Sequence, residues 1–134
     1  MPQTPADARG YDMDPRDLHT RQVLFARMLG KLLAYAESKG YELLPIEVGI
    51  LEQRKGRQGD PFTDGVHMPS SLHYKRLAAD FVLWDGGDMI TQTDQRQWQD
   101  LGTFWEGLDP LCRWGGRFRS PDGNHFSVAY GGRA

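Results

Sequence analysis

Apolar residues recur at helical spacing from Phe25 through Met28, Leu29 and Leu32 to Ala36, which predicts an amphipathic helix near the start of the chain. Asp14 and Pro15, with Asp17 close behind, supply its beginning: side-chain acceptors meet free N–H groups, and proline is tolerated in a first turn. "SKG" ends the run, with Lys39 near the negative end of the helix dipole and Gly40 as the left-handed cap. Leu44, Ile46, Val48 and Ile50 then alternate, so "LLPIEVGIL" reads as a strand with one apolar face, and Pro45 marks an edge or an interruption. Residues 52–70 are polar and rich in Gly and Pro, a long loop of the kind that is functional or disordered. Leu77–Trp84 is a second strand of buried type, closed by "DGGD", with a short return at Met89–Ile90. Thr93 is positioned to cap a second amphipathic helix carrying Trp98, Leu101, Trp105 and Leu108 on one face. The tail "RWGGRFRSPDGNHFSVAYGG" holds two glycine turns and a strand over about His125–Tyr130. Residues 1–13 read as a flexible arm and 14–134 as one domain. The order helix, strand, loop, strand, helix, strand predicts a small α+β domain.

Composition narrows the function classes. A chain of 134 residues, 39% hydrophobic and 25% charged, is long enough for one real core and ordinary for a soluble globular protein. The formal charge of −2 provides no broad basic field, so nucleic-acid binding by phosphate neutralisation is not expected. Cys112 stands alone, which excludes an intrachain disulfide and a Cys-rich zinc module, and it reads as a small buried hydrophobe. The polar opening "MPQTPADARGYDMDP" lacks the apolar core of a secretory signal, so cytoplasmic synthesis without a signal peptide is the expectation. No stretch approaches the ~20 apolar residues of a membrane span, and no membrane insertion is expected.

The chemistry begins with Asp80. In "AADFVLW" a bare buried carboxylate costs several kcal/mol, and either a cation or an arginine would answer it. Histidines occur at His19, His67, His73 and His125. His19 falls in a helical first turn and reads as surface, and His67 falls in the long loop. His73 precedes the Asp80 strand, His125 opens the last strand, and Asp122 lies three residues before it. If those strands are neighbours, His73, Asp80 and His125 could form a His₂Asp zinc site, with Asp122 reaching the water at the fourth position. That division of labour suits metal-assisted hydrolysis, in which the ion acidifies water and a carboxylate shuttles the proton. The same residues also read as a structural His–Asp hydrogen bond and as a Pro-Asp-Gly-Asn turn whose aspartate bonds its own backbone. Spacing alone leaves both readings open.

"SSLHYKRLAADF" resembles the Ser-x-His-x-x-Gly-x-Ala-x-Asp signature of the M15 zinc peptidases, matching at Ser71, His73, Ala78 and Asp80. This family comprises D-alanyl-D-alanine carboxypeptidases, VanY-like enzymes and phage L-alanyl-D-glutamate endolysins. The tail "RWGGRFRSPDGNHF" resembles the family's second motif, a Trp-Gly-Gly turn followed by an acidic residue three positions before a ligand histidine. The order of the motifs and the intervening "LGTFWE" helix are similar to the phage-type branch, and the resemblance runs from about Val23 to Tyr130. The chain departs from the signature at Arg76, where glycine is usual.

The resemblance implies an antiparallel sheet flanked by helices, of Hedgehog/DD-peptidase type. It makes His73, Asp80 and His125 ligands of Zn2+ and Asp122 the general base that later protonates the leaving amine. It places an arginine in the loop before the histidine motif to hold a substrate carboxylate or developing oxyanion. Arg54 is the better match, Arg57 the fallback, and Ser71 joins Arg54 on the substrate side; an arginine suits the task through its permanent, forked charge. The implied substrate is the peptidoglycan stem peptide. The implied protein is a phage or prophage L-alanyl-D-glutamate endopeptidase, made in the cytoplasm and delivered to the wall through a lesion made by a holin-type partner. The alternatives are a D-alanyl-D-alanine carboxypeptidase and a non-catalytic, zinc-stabilised binding or virion-structural module.

Overall fold

The computed structural model describes residues 15–47 and 76–131. In chain order they form α1 (Pro15–Ser38), β1 (Glu42–Glu47), β2 (Ala78–Asp85), β3 (Asp88–Ile90), α2 (Arg96–Leu108), β4 (Cys112–Trp114), a 3-10 turn (Gly115–Arg117) and β5 (His125–Val128). This is an α+β architecture in which two helices accompany an antiparallel five-stranded sheet. The expected arm at 1–13, the loop at 52–70 and the strand residues Val48 and Ile50 lie outside the described residues.

The first helix follows its sequence pattern. Phe25, Met28, Leu32 and Ala36 are buried along one face. Its end is a Schellman motif: the Tyr41 N–H donates to Ala36 O at 2.9 Å and the Gly40 N–H to Glu37 O at 3.0 Å. Gly40 carries φ 78°, which an L side chain adopts only under strain. The chain is thereby reversed into β1, with Tyr41 buried and its hydroxyl bonded to Asp100 of α2.

Sheet order is β1-β2-β5-β4, and β3 also pairs with β2. Asp80 is paired with both Glu47 of β1 and His125 of β5, so β1 occupies one edge of β2 while β5 shares the other with β3. Side chains alternate along β2: Phe81 and Leu83 enter the core, whereas Asp80, Val82 and Trp84 are only half-buried on the opposite face. The run read as a buried strand is therefore a half-buried one, and Asp80 belongs to its outer face.

An aromatic cluster joins the layers. The Phe126 ring lies 5.6 Å from Phe81 and 5.8 Å from Trp105, and Trp105 in turn meets Phe25 edge-on at 5.9 Å. Each fully buried side chain of this size contributes about 1.5–3 kcal/mol through apolar burial. The indoles are satisfied as well: Trp105 Nε1 donates to Ser127 O at 3.0 Å and Trp98 Nε1 to Ile90 O at 2.8 Å.

Three expectations change. In β1 it is Leu43 that enters the core, opposite Leu83, while Leu44 and Ile46 are exposed. The alternation was legible, but not which face the sheet turns toward the helices. The second helix starts at Arg96 after Gln95, which makes no side-chain cap bond, so Thr93 is not its cap. The Gln95 Oε1 instead accepts from the Thr91 and Gln92 N–H groups, at 3.0 and 2.8 Å. Finally, β4 was hidden in the glycine-rich tail, and β5 ends at Val128, two residues before the expected end at Tyr130.

Candidate metal centre

Asp80 and His125 are directly opposed across the β2–β5 pairing, which puts both side chains on the outer face of the sheet. The Nδ1 of His125 lies 3.4 Å from Oδ1 of Asp80. Asp122 reaches the same place from a turn. Its carbonyl accepts from the His125 N–H at 3.2 Å, closing the four residues "DGNH", and its own N–H donates to Gly115 O at 2.8 Å. One ligand atom from each of Asp80, Asp122 and His125 lies within 4.8 Å of the other two.

The Trp-Gly-Gly segment has a steric role in this assembly. A Cβ on Gly115 would stand 2.1 Å from the Asp122 carbonyl oxygen and 2.8 Å from the His125 Cβ. No rotamer change relieves a clash with backbone, so the two site residues can approach β4 only where a side chain is missing. Phe118 completes the wall, its ring 5.3 Å from the imidazole of His125. Trp114, beside the glycines, is buried, and its Nε1 donates to Gly123 O at 2.7 Å.

Electrostatics distinguish Asp122. Partial desolvation and the nearby charge of Asp80 push its carboxyl above the ordinary carboxylate range, while the imidazole of His125 pulls it back down. Two carboxylates and one imidazole at this separation could hold a metal ion. The test is the donor chemistry: nitrogen and carboxylate oxygen suit zinc, and tetrahedral bonds of about 2.0–2.1 Å put neighbouring ligand atoms about 3.3 Å apart. The separation between His125 Nδ1 and Asp80 Oδ1 matches such an edge. Cys112 takes no part; it is buried, and desolvation pushes its thiol up to about 12.

An open cleft of about 360 Å³ adjoins the cluster. Asp122, Gly123 and Asn124 border it together with Thr91 and Thr93, and Ile46, Val82 and Met89 supply apolar lining. Asn124 also ties this border to β2, since its Nδ2 donates to Phe81 O at 3.2 Å and its O accepts from the Phe81 N–H at 3.2 Å.

Of the residues singled out in the sequence, the structure brings together Asp80, Asp122 and His125. His73, Ser71, Arg54 and Arg57 lie outside the described residues, as does His67; His19 is exposed on α1. The sequence reading missed the part played by Thr93, whose Oγ1 accepts from the Gly123 N–H at 2.9 Å. A contact spanning 30 positions leaves no local signal, and the local signal present pointed to a helix cap. Among the described residues no helix is long and apolar enough to cross a membrane. No family model matches the chain, and no curated protein matches it.

Proposed function

We propose that this chain is a zinc peptidase of the Hedgehog/DD-peptidase type, cutting peptidoglycan stem peptides as an L-alanyl-D-glutamate endopeptidase of phage or prophage origin. The observation that carries this reading is the meeting of Asp80, Asp122 and His125 within 4.8 Å, beside an open cleft. Two details of the backbone support the resemblance on which the substrate class rests. Arg76, where the M15 signature has glycine, adopts φ 57°, the left-handed region that glycine favours. Gly115 lies where a Cβ would strike Asp122, which accounts for glycine ahead of the acidic residue and histidine of the second motif.

Asp80 and His125 would hold the ion, with His73 as the third ligand. A bound zinc supplies Lewis-acid polarisation of a carbonyl and a lowered pKa for water. Asp122, exposed at the cleft margin, takes the proton of the attacking water and returns it to the departing amine. Arg54 and Ser71 would engage the substrate, and a holin-type partner would give the protein access to the wall.

The test is metal analysis of the purified protein together with digestion of purified peptidoglycan, with and without chelator. About one zinc per chain is expected, along with new amino groups that chelator abolishes and a cut next to the muramyl lactyl-alanine by mass. Loss of a single terminal alanine would instead indicate the carboxypeptidase. Zinc binding without any bond cleavage would leave a structural module and end the peptidase reading.

A further inference from the structure

The backbone around Asp122 is held at successive groups. The N–H of Asp122 is bonded to Gly115 O and its carbonyl to the His125 N–H, while the Gly123 carbonyl is bonded to the indole of Trp114. These three partners belong to the same hairpin, from β4 to β5, as the aspartate itself. The remaining group, the Gly123 N–H, is taken by the Thr93 hydroxyl at 2.9 Å, from the connection between β3 and α2. That bond and the one to His125 grip opposite edges of a single peptide plane, the one that follows Asp122, and a held plane fixes the direction in which its side chain leaves the backbone. The contact is close. A Cβ on Gly123 would stand 2.8 Å from Thr93 Oγ1 and 3.0 Å from Thr93 Cα, so the two segments touch with no room for a bridging water.

We propose that Thr93 is a positioning residue for Asp122, clamping the peptide after it so that the carboxylate stays aimed at the cleft and the neighbouring Asp80 and His125. This rests on the reading of Asp122 as the proton carrier in hydrolysis. Misplacing such a group by an ångström slows the chemical step by on the order of 10²-fold without weakening substrate binding to match. The clamp also couples the site to the β3–α2 connection, which lines the cleft through Thr91 and Thr93.

The experiment compares Thr93→Val, Thr93→Ser and the parent chain. Its readouts are zinc content, thermal midpoint, kcat and KM on a muropeptide, and the exchange rate of the Gly123 amide by NMR. Valine keeps the shape and removes the acceptor; serine restores the acceptor. For Thr93→Val the expected result is zinc content equal to the parent, kcat down by about 10- to 100-fold, KM changed by less than about threefold, and faster Gly123 exchange. Thr93→Ser is expected to recover kcat to within about threefold of the parent and to restore amide protection. A parental kcat in the valine variant, a serine variant as impaired as the valine one, or a loss confined to KM each overturns the proposal. If the valine variant does not fold, the parent and the serine variant decide: an unprotected Gly123 amide in both removes the clamp. If the parent hydrolyses nothing, the peptidase reading fails by that result alone, and a rigid Asp122 turn is judged by the amide exchange.

Discussion

Two polar clusters among the described residues surround a carboxylate in opposite ways. At the junction of α1 and α2, Asp100 accepts from the Tyr35 hydroxyl at 3.0 Å and the Tyr41 hydroxyl at 2.8 Å, with Lys39 Nζ 3.6 Å away. Burial alone pushes its carboxyl up, yet the phenol bonds and the ammonium outweigh burial and leave it below its ordinary range. In the turn before β5, Asp122 faces the Asp80 carboxylate as well as the His125 imidazole, and partial burial and the charge of Asp80 outweigh the imidazole and push its carboxyl up. The first arrangement is complete and stabilises the fold. The second gathers negative charge that a cation would relieve, and this contrast makes the sheet face a candidate metal site and the helix junction a latch.

The largest break in that contrast comes from removing a proposed ligand. If the proposed peptidase function holds, Asp80→Ala abolishes zinc retention and hydrolysis together, measured by metal analysis and peptidoglycan digestion. Asp122→Asn is expected to keep the zinc and lose turnover by about 10²-fold or more. In metal-free protein the contrast reverses: Asp122→Asn relieves repulsion from Asp80 and should leave stability unchanged or raised. A metal-free Asp122→Asn protein clearly less stable than its parent in urea would mean that the sheet cluster is a latch as well.

Next in size is Gly115→Ala. The added methyl meets backbone at 2.1 Å, so the β4–β5 hairpin must open, at a cost of about 3 kcal/mol. Thermal unfolding would show the loss, and zinc affinity should fall with it, because Asp122 and His125 are displaced by the same movement.

How far all this was legible depends on the range of the contact. The helices were readable from spacing because burial follows the turn of a helix, and β2 with its return was readable from "DGGD". Asp80, Asp122 and His125 could be named because each sits beside a local signal: a charge in an apolar run, a turn, a strand start. Spacing alone left their convergence open, since it depends on β5 lying next to β2 across 45 positions of chain, from Asp80 to His125, and only the resemblance implied it. The core-facing side of β1 was illegible for a similar reason. Leu43 and Leu44 are equally apolar, and only pairing with β2 decides which one enters the core. The local pattern at Thr93 pointed to a helix cap instead of its bond to Gly123, and the three-residue strand β4 left none.

Removing the latch is a smaller test than opening the hairpin. Asp100→Ala leaves one buried and one half-buried phenol without their shared acceptor, at about 2 kcal/mol, since a bond to a charged acceptor contributes about 1.5–3 kcal/mol and water entering the vacated space replaces part of the two. The pH dependence follows from the direction of each shift. The carboxyl of Asp100 is lower in the folded protein than in the unfolded chain, so its contribution is present above the ordinary carboxylate range and is lost as pH falls through the depressed value. Tyr41 is raised to about 12 by burial and by Asp100, so the unfolded chain ionises first and stability declines as pH rises from about 10 toward 12. Urea unfolding across both limbs should show Asp100→Ala approaching the parent at the acid end. A constant gap down to about pH 2 would mean that the carboxylate's charge plays no part in the latch.

The smallest effect is expected to be a gain. Arg76 leads into β2 with φ 57°, a conformation that costs a side-chain-bearing residue about 1–2 kcal/mol. Arg76→Gly removes that strain but enlarges the conformational freedom of the unfolded chain, which returns part of the gain. The net expectation is a stabilisation of about 0.5–1 kcal/mol, read as a raised urea midpoint with unchanged slope. Activity separates two uses of the position. If turnover and KM are unchanged, Arg76 serves only as a backbone corner, and the strain is a cost the clustered carboxylates do not need. If stability rises while turnover falls, the arginine side chain works at the mouth of the proposed site. A lowered midpoint would show that the left-handed corner is not strained, and the physical reason for glycine at that point of the motif would go with it.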